Sequence, residues 1–547
     1  MSAISKVKSF LSSAKEQWST PAPGKYVPYK EVAAYSLCGT GVYFIISLVG
    51  QIYMKSSSMI VAGGIGIKPV DLQNLSVLTT LIVLFFAPAR AMLFDNTRSK
   101  MGKFRPYIMY MGIPTALLSI LFVYLPYERM EYDAKLKAVF IVFTLMQFFS
   151  PFYQTAYHSL VQVMSPNSSE RAWLISTSTL IYSFSPTVIN PVLPLIGGMD
   201  NIETYRIAFP IFCTLGVCIS IPFLLKTKER IIVPKQHVQK MGFAEGLKKV
   251  SKNKYFWLIN ASNWIVSLSG YDYLFYWVFH YGMNNKYLLA LFTTIKGEAS
   301  TPGIVLGAPL TNKLGKKKIA IISILLQAAC FGLMLTCFEN YIMFFVLLFL
   351  KDMAGALSLT YLPAIKADVM DYQQYKTNDR LEGFIEQSGT LLGSIVTLGT
   401  GYVLPLIFER VYGLTDNYDD LFDAAFRNPI LRVVILFSFV STLLSVVPFF
   451  FYDLTEDKRS NMIRALKIRA LFADFEDESI TEEGLNETVT DIYEAVEQYN
   501  NETNEKKKKA LKIAVDEFEK YKNASPAIWA MIEDRYNQIA EKNSLTE

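Results

Sequence analysis

Histidine is scarce in this chain of 547 residues: there are three, His158, His237 and His280. No metal-ligand cluster, Walker loop or nucleophile elbow accompanies them, so no motif of an enzyme is present and neither a cofactor nor a metal site is expected. The five cysteines (Cys38, Cys213, Cys218, Cys330, Cys337) lie inside apolar segments without paired loop spacing and read as reduced packing residues. The first thirty residues carry Lys6, Lys15, Glu16 and Lys25 with Pro21 and Pro23, and so lack the apolar core of a cleavable signal peptide. The first apolar helix is therefore expected to act as the targeting signal.

Charge is missing in long stretches. Residues 319–335 and 433–450 contain none, and such runs approach the length that crosses about 30 Å of hydrocarbon. Against this background 52% of the chain is apolar and 14% aromatic. Apolar runs, turn residues and charge clusters together predict twelve spans, centred near residues 43, 82, 115, 149, 183, 214, 268, 298, 327, 353, 395 and 441. The expected class is an all-α membrane protein of twelve transmembrane helices in two six-helix halves, followed by a soluble helical tail. Connections rich in Lys and Arg (Arg98, Lys100, Lys103, Arg105; Lys313, Lys316 to Lys318) alternate with acidic ones (Asp416, Asp419, Asp420, Asp423). The positive-inside rule puts the basic side, and with an even span count both termini, in the cytoplasm of a multi-pass cell-membrane protein.

The longest basic connection, 226–254, holds nine Lys or Arg and divides the spans six and six. The expected organisation is an N-terminal segment 1–30, a first half 31–225, a basic linker 226–254, a second half 255–452 and a tail 453–547. The turns after spans 2 and 8, residues 95–105 and 311–318, are weakly alike, as duplicated halves require. The tail carries 22 Asp or Glu against 14 Lys or Arg and is about eight charges negative, while the rest is about thirteen positive. Leu485, Val489, Ile492, Val496 and Tyr499, and two later sets, recur at helical spacing and predict three or four amphipathic helices. Ser525-Pro526 is suited to start the last of them.

At Thr97-Arg-Ser-Lys-Met-Gly-Lys-Phe-Arg-Pro-Tyr107 the chain resembles the glycoside-pentoside-hexuronide:cation symporters. A stronger likeness lies at Ala367-Asp-Val-Met-Asp-Tyr-Gln-Gln-Tyr-Lys-Thr377 followed by Arg380-Leu-Glu-Gly383, similar to that family's turn between helices 10 and 11. The resemblance spans about residues 30–452. It implies a facilitator fold and transport of glycosides, pentosides or uronides coupled to sodium or protons. The chain departs from the pattern where the family binds its ligands. The aspartate pair that holds the cation on helix 2 falls on Val83 and Ala87. The sugar-binding acids of helices 1 and 4 fall on Tyr43 and Gln154, the aromatic platform on His158, and the lysine of helix 11 on Ser394. An apolar pair offers sodium no side-chain oxygen, so neither the sodium site nor the sugar site carries over.

Other polar residues are candidates for the pathway. Gln147, Ser150, Gln154 and His158 share a helical face in span 4, as do Asn260, Asn263, Ser267 and Tyr271 in span 7. These faces suit a sugar, with Trp264 as the ring beneath its apolar side, and they equally suit bonding between helices. Arg90, Asp272, Lys296, Glu298, Lys351 and Asp352 fall inside predicted spans, where a bare charge costs at least about 2.5 kcal/mol. Lys296 and Glu298 lie about 200° apart on a helix and cannot share one cavity unless it unwinds. Lys351 and Asp352 sit on neighbouring faces and are placed to bridge to adjacent helices.

The expected substrate-binding set is Tyr43, Gln154, His158, Asn263, Trp264, Lys296 and Glu386. Glu298, Glu386 and Asp352 are the coupling candidates, Glu298 or Glu386 taking a proton in place of the missing sodium site, with a fixed ion-pair network as the equal alternative. At the basic face Asp95, Arg98, Lys103, Arg105, Asp368 and Asp371 can latch the halves together or serve as topology anchors. The expected function is secondary active transport of a sugar, glycoside or hexuronide by alternating access, driven by protons. A carrier of a non-sugar solute, and a transport-inactive sensor signalling through the tail, remain open beside it. The expected partners are a carbohydrate solute, a coupling proton, the bilayer and, for the tail, a protein; nucleic acid is not among them.

Overall fold

A computed structural model describes residues 18–21, 25–97, 99, 101–165, 168–230, 243–337, 339–378, 382–476 and 482–544. Among these residues there is no strand, only one isolated bridge between Ser99 and Gly102. Seven helices form an N-terminal set: α1 (Tyr29–Val49), α2 (Pro69–Asn96), α3 (Arg105–Tyr124), α4 (Tyr132–Met164), α5 (Ser168–Tyr182), α6 (Phe184–Ile196) and α7 (Ile202–Leu224). The amphipathic α8 (Phe243–Ser251) leads into a C-terminal set. It comprises α9 (Lys254–Val266), α10 (Tyr271–Val278), α11 (Lys286–Gly297), α12 (Ser300–Leu314), α13 (Lys316–Cys337), α14 (Tyr341–Ala356), α15 (Ser358–Thr377), α16 (Glu382–Thr400), α17 (Val403–Arg410), α18 (Ala424–Leu444) and the single turn α19 (Val447–Phe450).

Ten stretches among the described residues are long and apolar enough to cross a membrane. The remaining two expected spans fall on α9–α10 and α11–α12, each carrying intramembrane charge and each interrupted. Five of the expected spans break near their centres: at Ser183, at 267–270, at 298–299, at Leu357 and at 401–402. Hydroxyls add bonds to carbonyls beside these breaks, Ser183 donating to Leu180 O at 2.7 Å, Ser267 to Trp264 O at 2.6 Å and Thr360 to Leu357 O at 2.8 Å, the last two carbonyls also accepting from backbone amides. Inside a bilayer, backbone polar groups near a break depend on such protein partners rather than on water.

Small residues set the helix spacing. Where α1 crosses α7, a Cβ on Gly41 would lie 2.5 Å from the Ser220 amide nitrogen, and one on Gly216 would lie 2.7 Å from the Ile45 side chain. Lipid offers apolar side chains as good an environment as a neighbouring helix does, so close backbone approach through glycine is what holds such crossings.

The buried apolar side chains fall into three clusters. The largest is continuous from the N-terminal set into α10, α14, α17 and α18 of the C-terminal set. The second fills the other end of the C-terminal set, around Phe256, Ile365 and Phe449, and takes in Leu454 and Met462 from the start of the tail. The third belongs to the tail, whose four helices are α20 (Glu456–Glu476), α21 (Glu482–Asn501), α22 (Glu505–Ala524) and α23 (Pro526–Ser544). The last begins at Pro526, where the Ser525-Pro526 pair places it.

Candidate functional site

The two helix sets meet unequally at the two ends of the bundle. At the end bearing the acidic connections, bonds cross between sets. Lys55 pairs with Asp272 at 2.7 Å, and His280 lies 3.2 Å from Asp200. Tyr402 donates to Asn74 Oδ1 at 2.8 Å, Tyr418 to the Ile67 carbonyl at 3.2 Å, and the Val70 amide to Glu409 at 3.3 Å. Burial works against the Asp200 carboxylate, yet contact with His280 holds it below its ordinary range. At the basic end the named bonds stay within one set or run to the tail. Glu229 accepts from the amides of Lys103, Phe104 and Arg105 at 2.6–3.1 Å, capping the start of α3. The Arg105 guanidinium reaches the carbonyls of Met101 and Leu225, both at 3.2 Å. Arg230 pairs with Glu31 at 2.6 Å.

Between these ends lie three polar groupings. In the N-terminal set Tyr43 of α1 stacks on Tyr182 of α5, with ring centres 4.0 Å apart and planes within 4°, and its hydroxyl bonds His158 Nε2 of α4 at 3.0 Å. Tyr157 stands edge-on to both tyrosines. Gln154 is one turn before His158, so the α1 and α4 residues singled out in the sequence do converge. His158 is exposed within the bundle rather than packed away. Gln147, expected on the same face, instead lines a crevice of about 320 Å³ between α2 and α4 with Val83, Phe86 and Arg90. Arg90 has the Phe152 ring 5.9 Å away and no carboxylate partner among the described residues.

The second grouping spans the sets. Glu298 stands in the interruption between α11 and α12. It accepts from Thr187 of α6 at 3.1 Å and from Thr301 at 3.2 Å, and it has no basic partner among the described residues. Lys296 turns the other way, its ammonium 4.9 Å from the Phe275 ring centre and 5.4 Å from that of Tyr271. The helix ends at Gly297, so the break, rather than a helical angle, sends the two side chains to different partners. Tyr271 donates to Asp352 at 2.6 Å, and Lys351 sits 3.2 Å from both Asp352 and the Tyr271 ring centre. Lys351 and Asp352 pair with each other and both reach adjacent helices, Asp352 through the Tyr271 hydroxyl of α10 and Lys351 through the rings of Tyr271 and of Phe331 in α13. Their side chains are neighbours along one turn, and the Tyr271 ring covers both.

The third grouping is a cavity of about 320 Å³ lined by Asn260, Asn263 and Trp264 of α9, Lys366 of α15, and Thr390 and Thr397 of α16. Gly389 and Gly393 let α16 approach Asn260 and Trp264. The expected span-7 face does not continue beyond this cavity. The break at 267–270 sends Tyr271 to Asp352, while Ser267 bonds Thr400 at 3.0 Å. Ser394 donates to the Thr390 carbonyl at 2.9 Å. The side chains of Ala87, Asp95, Arg98, Glu382 and Glu386 lie outside the described residues.

At the basic face Asp368 is 2% exposed and meets two cations, Lys316 at 2.9 Å and the Arg459 Nε at 2.6 Å, the latter a close ion pair rather than an aligned hydrogen bond. Arg459 also lies 3.8 Å from Asp371. Sequence spacing could not single out Arg459, which looks like any surface charge of an amphipathic helix.

Two sets of apolar helices, joined at one end and enclosing polar groups with interrupted helices between them, are the architecture of a facilitator-type membrane transporter. Solved structures carry the same fold. The xylose transporter XylE from E. coli, in a partially occluded inward open conformation, aligns with TM-score 0.51 at 10% identity over 78% of this chain and 98% of that one. A mutant form of the nucleoside transporter NupG aligns with TM-score 0.52 at 12% identity over 77% and 99%. The chain belongs to the MFS/sugar transport protein family, whose model matches residues 43–456. It is a multi-pass membrane protein and a secondary transporter by family. Its relatives include a Bacillus subtilis protein named "Uncharacterized symporter YnaJ", 25% identical over 69% of this chain and 82% of that protein. They also include the "Isoprimeverose transporter" of Lactiplantibacillus pentosus, 21% identical over 69% and 81%. A "Putative 2,3-dihydroxypropane-1-sulfonate exporter" of Escherichia coli is 24% identical over 69% and 82%.

Proposed function

We propose that the chain moves a sugar, glycoside or hexuronide across the cytoplasmic membrane by alternating access, and that a proton on Glu298 couples the movement to the proton gradient. The supporting observation is the setting of Glu298: a carboxylate in a mid-span helix break, bonded by hydroxyls alone, one of them on the opposite helix set. An intramembrane carboxylate faces the bundle interior or a water-filled space, and Glu298, exposed between the sets with no cation beside it among the described residues, is open to proton exchange there. Protonation turns one oxygen from acceptor to donor and so alters the Thr187 contact between the two sets. That ties proton uptake to the relative motion of the sets. Asp352, neutralised by Lys351 and Tyr271, serves as a fixed member of the α10–α14 network.

Tyr43, Gln154 and His158 on one wall, and Asn263 and Trp264 on the other, provide the amide, imidazole and ring surfaces that bind hydroxyls and the apolar face of a sugar. Lys296 is placed to meet a carboxylate on an acidic sugar. The relatives named as symporters, an isoprimeverose transporter and a "Glucuronide carrier protein homolog" favour this class of solute. With the basic end in the cytoplasm, the conformation described is closed outward and faces inward.

The test is uptake into proteoliposomes of a panel of neutral glycosides and hexuronides, with sodium and proton gradients imposed separately. Proton-driven, sodium-indifferent uptake is expected. Glu298→Gln is expected to abolish accumulation while leaving counterflow exchange of the same sugar. Accumulation that survives in Glu298→Gln removes the coupling role, and no flux of any sugar removes the substrate class.

A further inference from the structure

The tail is fastened to the C-terminal helix set at three places, all at the basic end. Asp453 accepts from Lys254 at 2.8 Å, from Tyr255 at 2.8 Å and from Lys458 at 2.7 Å, which ties the start of the tail to the first turn of α9. Arg459 and Glu456 of α20 then join the buried Asp368, Arg459 pairing with it directly and Glu456 meeting its partner Lys316 at 3.2 Å. Three turns further along α20, Arg469 donates to the Tyr375 carbonyl at 2.9 Å and to Asn378 Oδ1 at 2.5 Å. That covers the carbonyl end of α15, where Asn378 closes the helix in the left-handed conformation at φ 59°. Arg469 is itself held by both oxygens of Glu517 in α22, at 2.9 and 3.0 Å, so a second tail helix braces the first. Met462 enters the apolar cluster of the C-terminal set between these polar fastenings.

These bonds occupy a particular pair of carboxylates. Asp368 and Asp371, near the basic end of α15, share that end of the bundle with the cationic turn of the N-terminal set that carries Lys103 and Arg105. A carboxylate already paired with Arg459 gains little from a second cation approaching from across the gap, and one already buried has no water left to exchange for it. We propose that the tail is a conformational brake: by holding Asp368 and Asp371 through Arg459, and the end of α15 through Arg469, it favours the state in which the basic end is open. This rests on the alternating-access reading above, because a brake needs two states to choose between. Closing the basic end then requires α20 to release Arg459, and anything that draws the tail away speeds that step.

The test uses the full chain in liposomes, with spin labels at Lys226 on the N-terminal set and Lys313 on the C-terminal set and pulsed dipolar distance measurement between them. In Arg459→Gln/Arg469→Gln the short-distance, basic-end-closed population is expected to grow relative to the longer one by at least about fivefold over the parent, the lower bound of ordinary conformational coupling. Glu517→Gln, whose hydrogen bonds among the described residues run to Arg469 and Lys520 of the tail, is expected to give a smaller shift in the same direction. Identical distributions in parent and variants, or growth of the longer distance, overturn the brake. Uptake by the same liposomes keeps the two readings apart: a shifted distribution without sugar flux upholds the brake and removes the substrate assignment.

Discussion

The two ends of the bundle put similar charged and polar side chains to opposite uses. At the acidic end the partners come from different helix sets, as in Lys55 with Asp272 and His280 with Asp200. At the basic end they come from one set or from the tail, as in Asp368 with Lys316 and Arg459. Exposure separates them further: the side chains of Lys55 and Asp272 are 47% and 50% exposed, that of Asp368 only 2%. A solvent-exposed pair contributes about 0–1 kcal/mol, whereas stripping one partner from a buried pair costs roughly 3–5 kcal/mol. The Lys55–Asp272 pair, which must break in every cycle, is therefore weak and wet, although His280 with Asp200 and Tyr418 with the Ile67 carbonyl cross at the same end largely buried; the Asp368 pair, which keeps a moving body in one piece, is dry.

This contrast can be broken from the strong side first. Asp368→Ala leaves Lys316 and Arg459 with only the more exposed carboxylates of Glu456 and Asp371 as counter-charges, and is expected to lower stability by up to about 3 kcal/mol, the lower end for breaking a buried pair, read as an earlier thermal unfolding transition in detergent. Gly41→Ala tests the rigidity of the N-terminal set. With the Ser220 backbone 2.5 Å from the added carbon, overpacking of about 1–3 kcal/mol is expected, again as an earlier transition. Asp272→Asn is expected to leave the unfolding transition within about 1 kcal/mol of the parent while increasing labelling of a cysteine placed at Tyr43 from the acidic side. A large loss of stability in this variant, or none in Asp368→Ala, would erase the distinction between the two ends.

The smallest effect concerns acid. Burial opposes the Asp453 carboxylate, but Lys254, Lys458 and Tyr255 hold it well below the usual carboxylate range. A group depressed in this way stabilises docking at every pH above its ordinary value of about 3.9, and that support fades only as pH falls through the lower, docked value. Protection of the tail from protease is therefore expected to stay level from about pH 8 to about pH 5. A decline inside that window would show that Asp453 does not fasten the tail.

Much of the bundle was legible in the sequence because crossing a membrane leaves long charge-free runs, and ten such runs reappear as helices. Lys296 and Glu298 do lie apart, but the helix ends at Gly297 between them, so the helical angle read from the sequence is not what separates them. What spacing could not supply was the long-range partner. Tyr271 reads as the end of a polar face until the break at 267–270 turns it toward Asp352. Lys351 and Asp352 do bridge to neighbouring helices, but that one ring, Tyr271, meets both is not written in their spacing. Arg459 and Arg469 are indistinguishable, as letters, from the other charges of an amphipathic tail helix, and only the fold brings them to α15. Glu229, in a connection read for its positive charge, turns out to cap α3.

The interruptions near the centres of five spans bear on how fast the interior exchanges its hydrogens. A backbone amide next to such a break sits at the end of its ladder, as those of Ser183, Glu298, Leu357 and Gly401 do, bonded to the preceding turn but without a continuous run of bonds beyond it. In deuterated water the amides around Ser183, Glu298, Leu357 and Gly401 should therefore exchange well before those a turn or two to either side, although all lie deep in the bundle. The result would be a labile band across the middle of an otherwise protected protein, level with the residues proposed to hold the solute.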